Sequence, residues 1–241
     1  MRGPTDGRDL VVSFPAAGAG GTTLEQGEKV AARRGAAYLA LPNPATAEAL
    51  ASGQWQAHCV EELGRAADQA SAGRAILIGH SMGGLSAIRM YDGLAARLAL
   101  PIALLIINTP CPDSLGRIPT MSQLSDAEIA AILAHDGFPR DLLDDEDMLV
   151  EIADRLRKDA AVADRLAERV STTGPLDALH VLSTRGDMFI PLERCAAWRH
   201  RVSGEFHLTI TDGGHAIDES LTGVLERAVD SALAGAQAGA V

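Results

Sequence analysis

Ser81 stands at the centre of Gly79-His80-Ser81-Met82-Gly83, and the pattern of apolar residues changes period across it. Before it, the run AILI at 75–78 reads as a buried strand, and after it Leu85, Ile88 and Met90 recur as one face of a helix. A G-x-S-x-G pattern between strand and helix forces the serine into a sharp, strained bend, because only small flanking residues let the two elements approach so closely. Such a bend lifts the Ser81 hydroxyl to the carboxyl end of the strand and turns the Met82 backbone N–H toward the same space. The pair amounts to a nucleophile and one oxyanion donor. A strand–turn–helix also cradles phosphates, but the chain has no P-loop signature and no G-x-G-x-x-G after a strand.

A serine alcohol needs a base within hydrogen-bond reach, and the base needs an acid that holds its tautomer. His215, in TDGGHAIDES just beyond the strand-like FHLTI, occupies a glycine-containing loop able to return the imidazole over the sheet edge. His80 adjoins the serine but is expected to point the other way in the bend. His58, His135, His180, His200 and His207 fall within expected helices or strands. For the acid, HVLSTRGDMFIP places Asp187 just past a strand end, where a parallel sheet presents its functional loops. Asp212 and Asp218 compete from positions too near His215 in sequence to reach behind its ring. The order Ser81, Asp187, His215 is that of the α/β-hydrolases. A second oxyanion donor is expected in FPAAGAGG, where Pro15 ends the strand and the Ala17 backbone N–H, or that of Ala16, faces the serine.

The elements that must carry these residues are legible as aliphatic runs, LVVSF, AYLAL, AILI, IALLII, HVLS and FHLTI, alternating with amphipathic stretches. Continuous apolar strands separated by helices imply a mostly parallel sheet covered on both faces, hence one α/β domain over 1–241. The alternation breaks between 121 and 170, where the text turns helical. LSDAEIAAILAHDG carries a capping box, Ser125 with Glu128, and Gly137 at the expected helix stop. A second helix, DEDMLVEIADRLRK at 145–158, gathers Met148, Leu149, Ile152 and Leu156 on one face and sets Arg155, Arg157 and Lys158 on another. The segment reads as a helical lid that covers the substrate, with an ordinary helical pair over the sheet as the alternative.

The chain of 241 residues carries a formal charge of −11, which disfavours nucleic acid and anionic membranes as partners. Its longest apolar run, LALPIALLII, is too short to span a bilayer. The N-terminal residues lack the long apolar core of a secretory signal. Cys59, Cys111 and Cys195 are odd in number and widely spaced, which favours free thiols over a disulfide framework and gives no zinc-type arrangement. A cytoplasmic protein without a structural metal is the expectation.

With these residues in place, the chain resembles the type II thioesterases associated with polyketide synthases and nonribosomal peptide synthetases. FPAAGAGG is similar to that family's Phe-Pro-x-Ala-Gly loop, GHSMGG to its serine elbow, GDMFIP to its acid loop, GGH to its histidine loop, and LSDAEIAAIL to the opening of its lid. The sequence departs from the family at LPNPATAEA, where a Pro-Gly-Arg turn is common, and at Ala216 and Ile217, where aromatic residues usually follow the histidine. The resemblance implies an α/β-hydrolase fold, no cofactor, an acyl or peptidyl carrier protein as partner, and hydrolysis of thioesters on its phosphopantetheine arm by Ser81, His215 and Asp187. A general carboxylesterase or lipase and a carrier-binding protein with a vestigial triad are the alternative readings.

Overall fold

The central aliphatic runs become strands because both of their faces are buried, whereas AYLA and FHLTI, at the two edges of the sheet, are only partly covered. In the computed structural model, which describes residues 7–18, 25–94, 98, 100–112, 123–135 and 138–238, the sheet is built from β1 (Arg8–Phe14), β2 (Ala37–Ala40), β3 (Ala72–His80), β4 (Ile102–Ile107), β5 (Leu176–Thr184) and β6 (Val202–Thr211). All neighbouring pairs are parallel, in the order β2-β1-β3-β4-β5-β6. The helices are α1 (Glu25–Arg34), α2 (Ala47–Ala51), α3 (Gln54–Ala70), α4 (Met82–Leu94), α5 (Asp126–His135), α6 (Arg140–Asp144), α7 (Glu146–Ser171), α8 (Leu192–Ala196) and α9 (Thr222–Ala238). Alternate strand residues enter two separate cores. Val11, Ile76, Ile78 and Leu105 pack with Val30 of α1 and Leu225 and Val229 of α9. Leu10, Val12, Leu77 and Ile106 pack with Leu63 of α3, Leu85 and Ile88 of α4, and Trp198. Each fully buried Leu, Ile or Val contributes about 1.5–3 kcal/mol relative to an exposed one.

The strand order reverses once. From β1 the chain goes outward to β2, returns across β1 to β3, and then adds every later strand on the far side. Loops after strands flanking such a switch point diverge and leave a crevice at the carboxyl ends. Phe14 pairs with Gly79 at the ends of β1 and β3, so the segment after Phe14 and the turn after His80 border that crevice.

Helices α5, α6 and α7 all lie between β4 and β5. Ser125 and Glu128 form the reciprocal capping box, with Glu128 Oε2 accepting from Ser125 N at 2.8 Å and Ser125 Oγ accepting from Glu128 N at 3.3 Å. Gly137 and residues 121 and 122 lie outside the described residues. Asp145 caps α7 by accepting from the N–H groups of Asp147 and Met148. The helix expected over 145–158 continues to Ser171, 26 residues in all. Val162, Leu166 and Val170 prolong its apolar stripe, and no glycine or proline intervenes before Gly174. Those three side chains belong to the sheet's own core, so the second half of α7 is a structural wall and only the first half stands free of it. Among the described residues no helix is long and apolar enough to cross a membrane.

Candidate active site

Ser81 occupies the turn between β3 and α4 with φ of +54°, the left-handed region that L-residues avoid. A non-glycine residue held there carries about 1–3 kcal/mol of strain, which persists only where the surroundings over-determine it. They do so here: the Ser81 N–H donates to the Ile107 carbonyl at 2.9 Å, and the Ser81 carbonyl accepts from Gly84 N at 3.0 Å and from the Thr109 hydroxyl at 3.2 Å. The flanking glycines serve close approach. A Cβ on Gly79 would lie 2.3 Å from the Gly83 carbonyl, and one on Gly83 would lie 2.3 Å from the Phe14 carbonyl and 2.5 Å from that of Pro15. Gly83 therefore allows the segment after β1 to press against the start of α4, where the Met82 N–H is one of the unpaired donors of a first helical turn.

Asp187 follows β5 and is fully buried at its side chain. One carboxylate oxygen, Oδ1, accepts from the N–H groups of Phe189 and Ile190, both at 2.8 Å; the other, Oδ2, accepts from His215 Nδ1 at 2.8 Å. With Nδ1 as donor, His215 Nε2 is left as the basic nitrogen. Asp212 instead pairs with Arg185 at the surface, and Asp218 caps the short turn at Glu219–Leu221 through Ser220.

The setting of His215 includes residues that sequence reasoning passed over. His80, expected to point away, ends β3 with its ring 4.9 Å from that of His215 and its Nε2 2.8 Å from the His215 carbonyl. Because a carbonyl only accepts, His80 Nε2 carries the proton. Burial, with His215 nearby, pushes the His80 imidazole down to about 3, so it stays neutral and does not oppose a charge on its neighbour. Asn108, at φ of +43°, donates from Nδ2 to the same carbonyl at 3.2 Å and to the Thr184 hydroxyl at 3.0 Å, while its Oδ1 accepts from Thr184 N at 2.9 Å. Phe189 packs on the His215 ring at 5.0 Å between centroids. No periodicity or motif marks Asn108; an asparagine ending an aliphatic strand was the only signal.

Ser81, His215, Met82, Ala16 and Ala17 all line one cavity of about 790 Å³. Its wall is largely apolar, with Leu85, Phe138, Met148, Ile152, Leu156 and Phe189 among the contributors. Leu149 does not line it: it sits about 100° round α7 from Met148 and is half-buried elsewhere. The basic residues of α7 also divide differently from the sequence expectation. Arg155 reaches the cavity wall, whereas Arg157 binds the Leu124 carbonyl, Asp154 and Asp126, stapling the start of α5. Asn43, within the LPNPATAEA stretch, donates to the Pro15 carbonyl at 2.8 Å and so braces the loop after β1. Of the other histidines, His58 and His135 are exposed on helices and His200 on a 3₁₀ turn, while buried His180 stacks on His207 at 4.4 Å. Among the described residues no group of three or more His, Cys, Asp or Glu side chains is placed to hold a metal ion.

A parallel sheet with a serine elbow at its switch point and a helical insertion after the fourth strand is the architecture of the α/β-hydrolases. Residues 67–230 match the model of the thioesterase domain, and the chain belongs to that family of hydrolases acting on thioesters. Its fold is similar to RedJ, the thioesterase of the prodiginine biosynthetic pathway in Streptomyces coelicolor, at 21% identity and a TM-score of 0.67 over 95% of this chain and 96% of that one. Human thioesterase 2 is similar at 19% identity and a TM-score of 0.67, over 95% and 97%. YbtT, a type II thioesterase from the yersiniabactin NRPS/PKS biosynthetic pathway, is similar at 19% identity and a TM-score of 0.70, over 98% and 97%. At such identities the likeness is one of fold. No curated protein matches the chain.

Proposed function

We propose that the protein is a cytoplasmic serine thioesterase that releases acyl groups from the phosphopantetheine arm of an acyl or peptidyl carrier protein. His215, held by buried Asp187 at 2.8 Å and lining the same apolar cavity as the strained Ser81, carries this reading. Ser81 Oγ attacks the thioester carbonyl as His215 Nε2 takes its proton, and Asp187 stabilises the resulting imidazolium. The oxyanion is held by the N–H groups of Met82 and Ala17, where fixed dipoles in a water-poor site act with little screening. Collapse expels the pantetheine sulfur, which takes the proton from His215, and a water activated by the same imidazole then hydrolyses the acyl-serine ester. The chemistry closes without a cofactor.

Helices α5, α6 and the first half of α7 act as a lid whose Met148 and Ile152 contact the acyl chain. With a charge of −11, the enzyme gains little long-range attraction to an acidic carrier, so docking rests on apolar contact and on local cations such as Arg155. The buried thiols of Cys59 and Cys195, free of disulfides, fit a reducing compartment. The family and the named pathways of RedJ and YbtT support a thioester over an oxygen ester. A panel of acyl-pantetheine thioesters beside matched oxygen esters tests the reading. Preference for the thioester, lost in Ser81→Ala, supports it; equal or better turnover of oxygen esters makes the protein a general carboxylesterase.

A further inference from the structure

The segment Pro15 to Gly18 is held at both ends by residues that take no part in the chemistry. At one end the Pro15 carbonyl accepts from Asn43 Nδ2 at 2.8 Å, and Asn43 Oδ1 accepts in turn from the Ser86 hydroxyl of α4 at 2.8 Å. At the other, the Gly18 N–H donates to Asp159 Oδ2 at 2.7 Å, linking this loop to the middle of α7. Gly18 has φ of +76°, and a Cβ there would lie 2.7 Å from Leu156 Cδ2. Leu156 is buried one turn before Asp159, on the face of α7 that lines the acyl cavity through Ile152, Leu156, Ala160 and Ala163.

Peptide units are planar, so a hydrogen bond at either end of one fixes its orientation. The bond from Asn43 holds the Pro15–Ala16 unit and the bond to Asp159 holds the Ala17–Gly18 unit. Between them lies a single peptide, Ala16–Ala17, whose N–H is that of Ala17. The Gly18 N–H is consumed by the carboxylate and is removed from the set of oxyanion donors. A carboxylate this close to a developing oxyanion opposes it electrostatically, so the value of Asp159 lies in its acceptor geometry and not in its charge.

Resting on the assignment of Ala17 as an oxyanion donor, we propose that Asp159 is a positioning residue through which the lid helix holds the oxyanion loop in its working conformation. The test compares Asp159→Ala and Asp159→Asn with wild type on a short acyl-pantetheine thioester, well below each protein's Tm. Asp159→Ala is expected to lower kcat about 10–100-fold, since removing a hole donor outright costs about 100–1,000-fold and here the donor is only misplaced. KM is expected to stay within about threefold, the mark of an interaction felt in the transition state. Asp159→Asn keeps an acceptor oxygen without the charge and is expected to return kcat to within about threefold of wild type. An unchanged kcat in Asp159→Ala, or an equal loss in both variants, overturns the proposal. Ser81→Ala run alongside separates the two failures: if it is inactive while Asp159→Ala is normal, only the positioning role falls, and if it retains activity the serine mechanism falls first.

Discussion

His80 donates from Nε2 to the backbone carbonyl of His215 at 2.8 Å, so the residue beside the proposed nucleophile carries the loop of the proposed base. Elbow and histidine loop come from β3 and from the segment after β6, and this bond, with those of Asn108, ties them together. Removing the ring in His80→Ala should lower kcat by about 10–100-fold with little change in KM, because a small displacement of a base is felt mainly in the transition state. A matched rise in KM would mean that His80 serves the cavity wall instead.

Ser81→Ala should reduce turnover to below about a hundredth of wild type while preserving the fold. Asp187→Asn should cost up to about four orders of magnitude in kcat through the wrong imidazole tautomer. Asp212→Asn, which removes only an exposed pairing with Arg185, should leave kcat within about twofold. Steady-state kinetics of the three variants check the assignment, and a larger loss from Asp212→Asn than from Asp187→Asn would move the acid.

Gly84→Ala should destabilise the protein. The added Cβ would lie 1.9 Å from Thr109 Oγ1, whose hydroxyl bonds the Ser81 and Ile107 carbonyls. Overpacking of this kind costs about 1–3 kcal/mol. For a chain of this size each kcal/mol lowers Tm by about 2–4 °C, which calorimetry would resolve. A Tm equal to wild type would show that Thr109 swings aside freely.

Met148→Ala with Ile152→Ala should raise KM for longer acyl-pantetheines by about 30-fold or more, with short-chain turnover and fluorophosphonate labelling of Ser81 largely kept, since each of the two truncated contacts is worth about 1–3 kcal/mol. Leu149→Ala, lying off the cavity wall, serves as the control and should change neither constant. Equal effects on short and long substrates would reduce the insertion to a structural cover.

Acid should destabilise the fold through its buried histidines. Burial, with His207 nearby, holds the His180 imidazole at about 4, against an ordinary value of 6.5. The unfolded chain therefore binds the extra proton between those values, so this contribution is present above pH 6.5 and is lost as pH falls toward 4. The limiting slope is about 1.4 kcal/mol per pH unit for one proton. Denaturation midpoints measured across that window should be less pH-dependent in His180→Asn than in wild type; parallel curves would contradict the depressed value.

Much of this molecule follows from local rules that a linear text can express. Aliphatic runs such as IALLII announce strands buried on both faces, because burial of every successive side chain is possible only in a covered parallel sheet. The glycines around Ser81 announce a turn too tight for side chains, and the Ser125–Glu128 spacing announces a helix start, since each depends on neighbours within a few residues. The choice of Asp187 over Asp212 was likewise open to argument from strand ends and chain order.

What tertiary structure alone decided are the relationships across long separations. The length of α7 depended on whether Val162, Leu166 and Val170 had a core to enter, which their spacing permits but does not supply. Leu149 fell off the cavity wall and Arg155 onto it because the rotation of a helix about its axis is set by what it packs against. The braces of the site, Asn43 on Pro15, Asn108 and His80 on the His215 carbonyl, and Asp159 on Gly18, join residues between 28 and 141 positions apart. A polar side chain in a loop carries no periodicity that names its partner; the fold names it, by bringing one unsatisfied donor within reach of one acceptor.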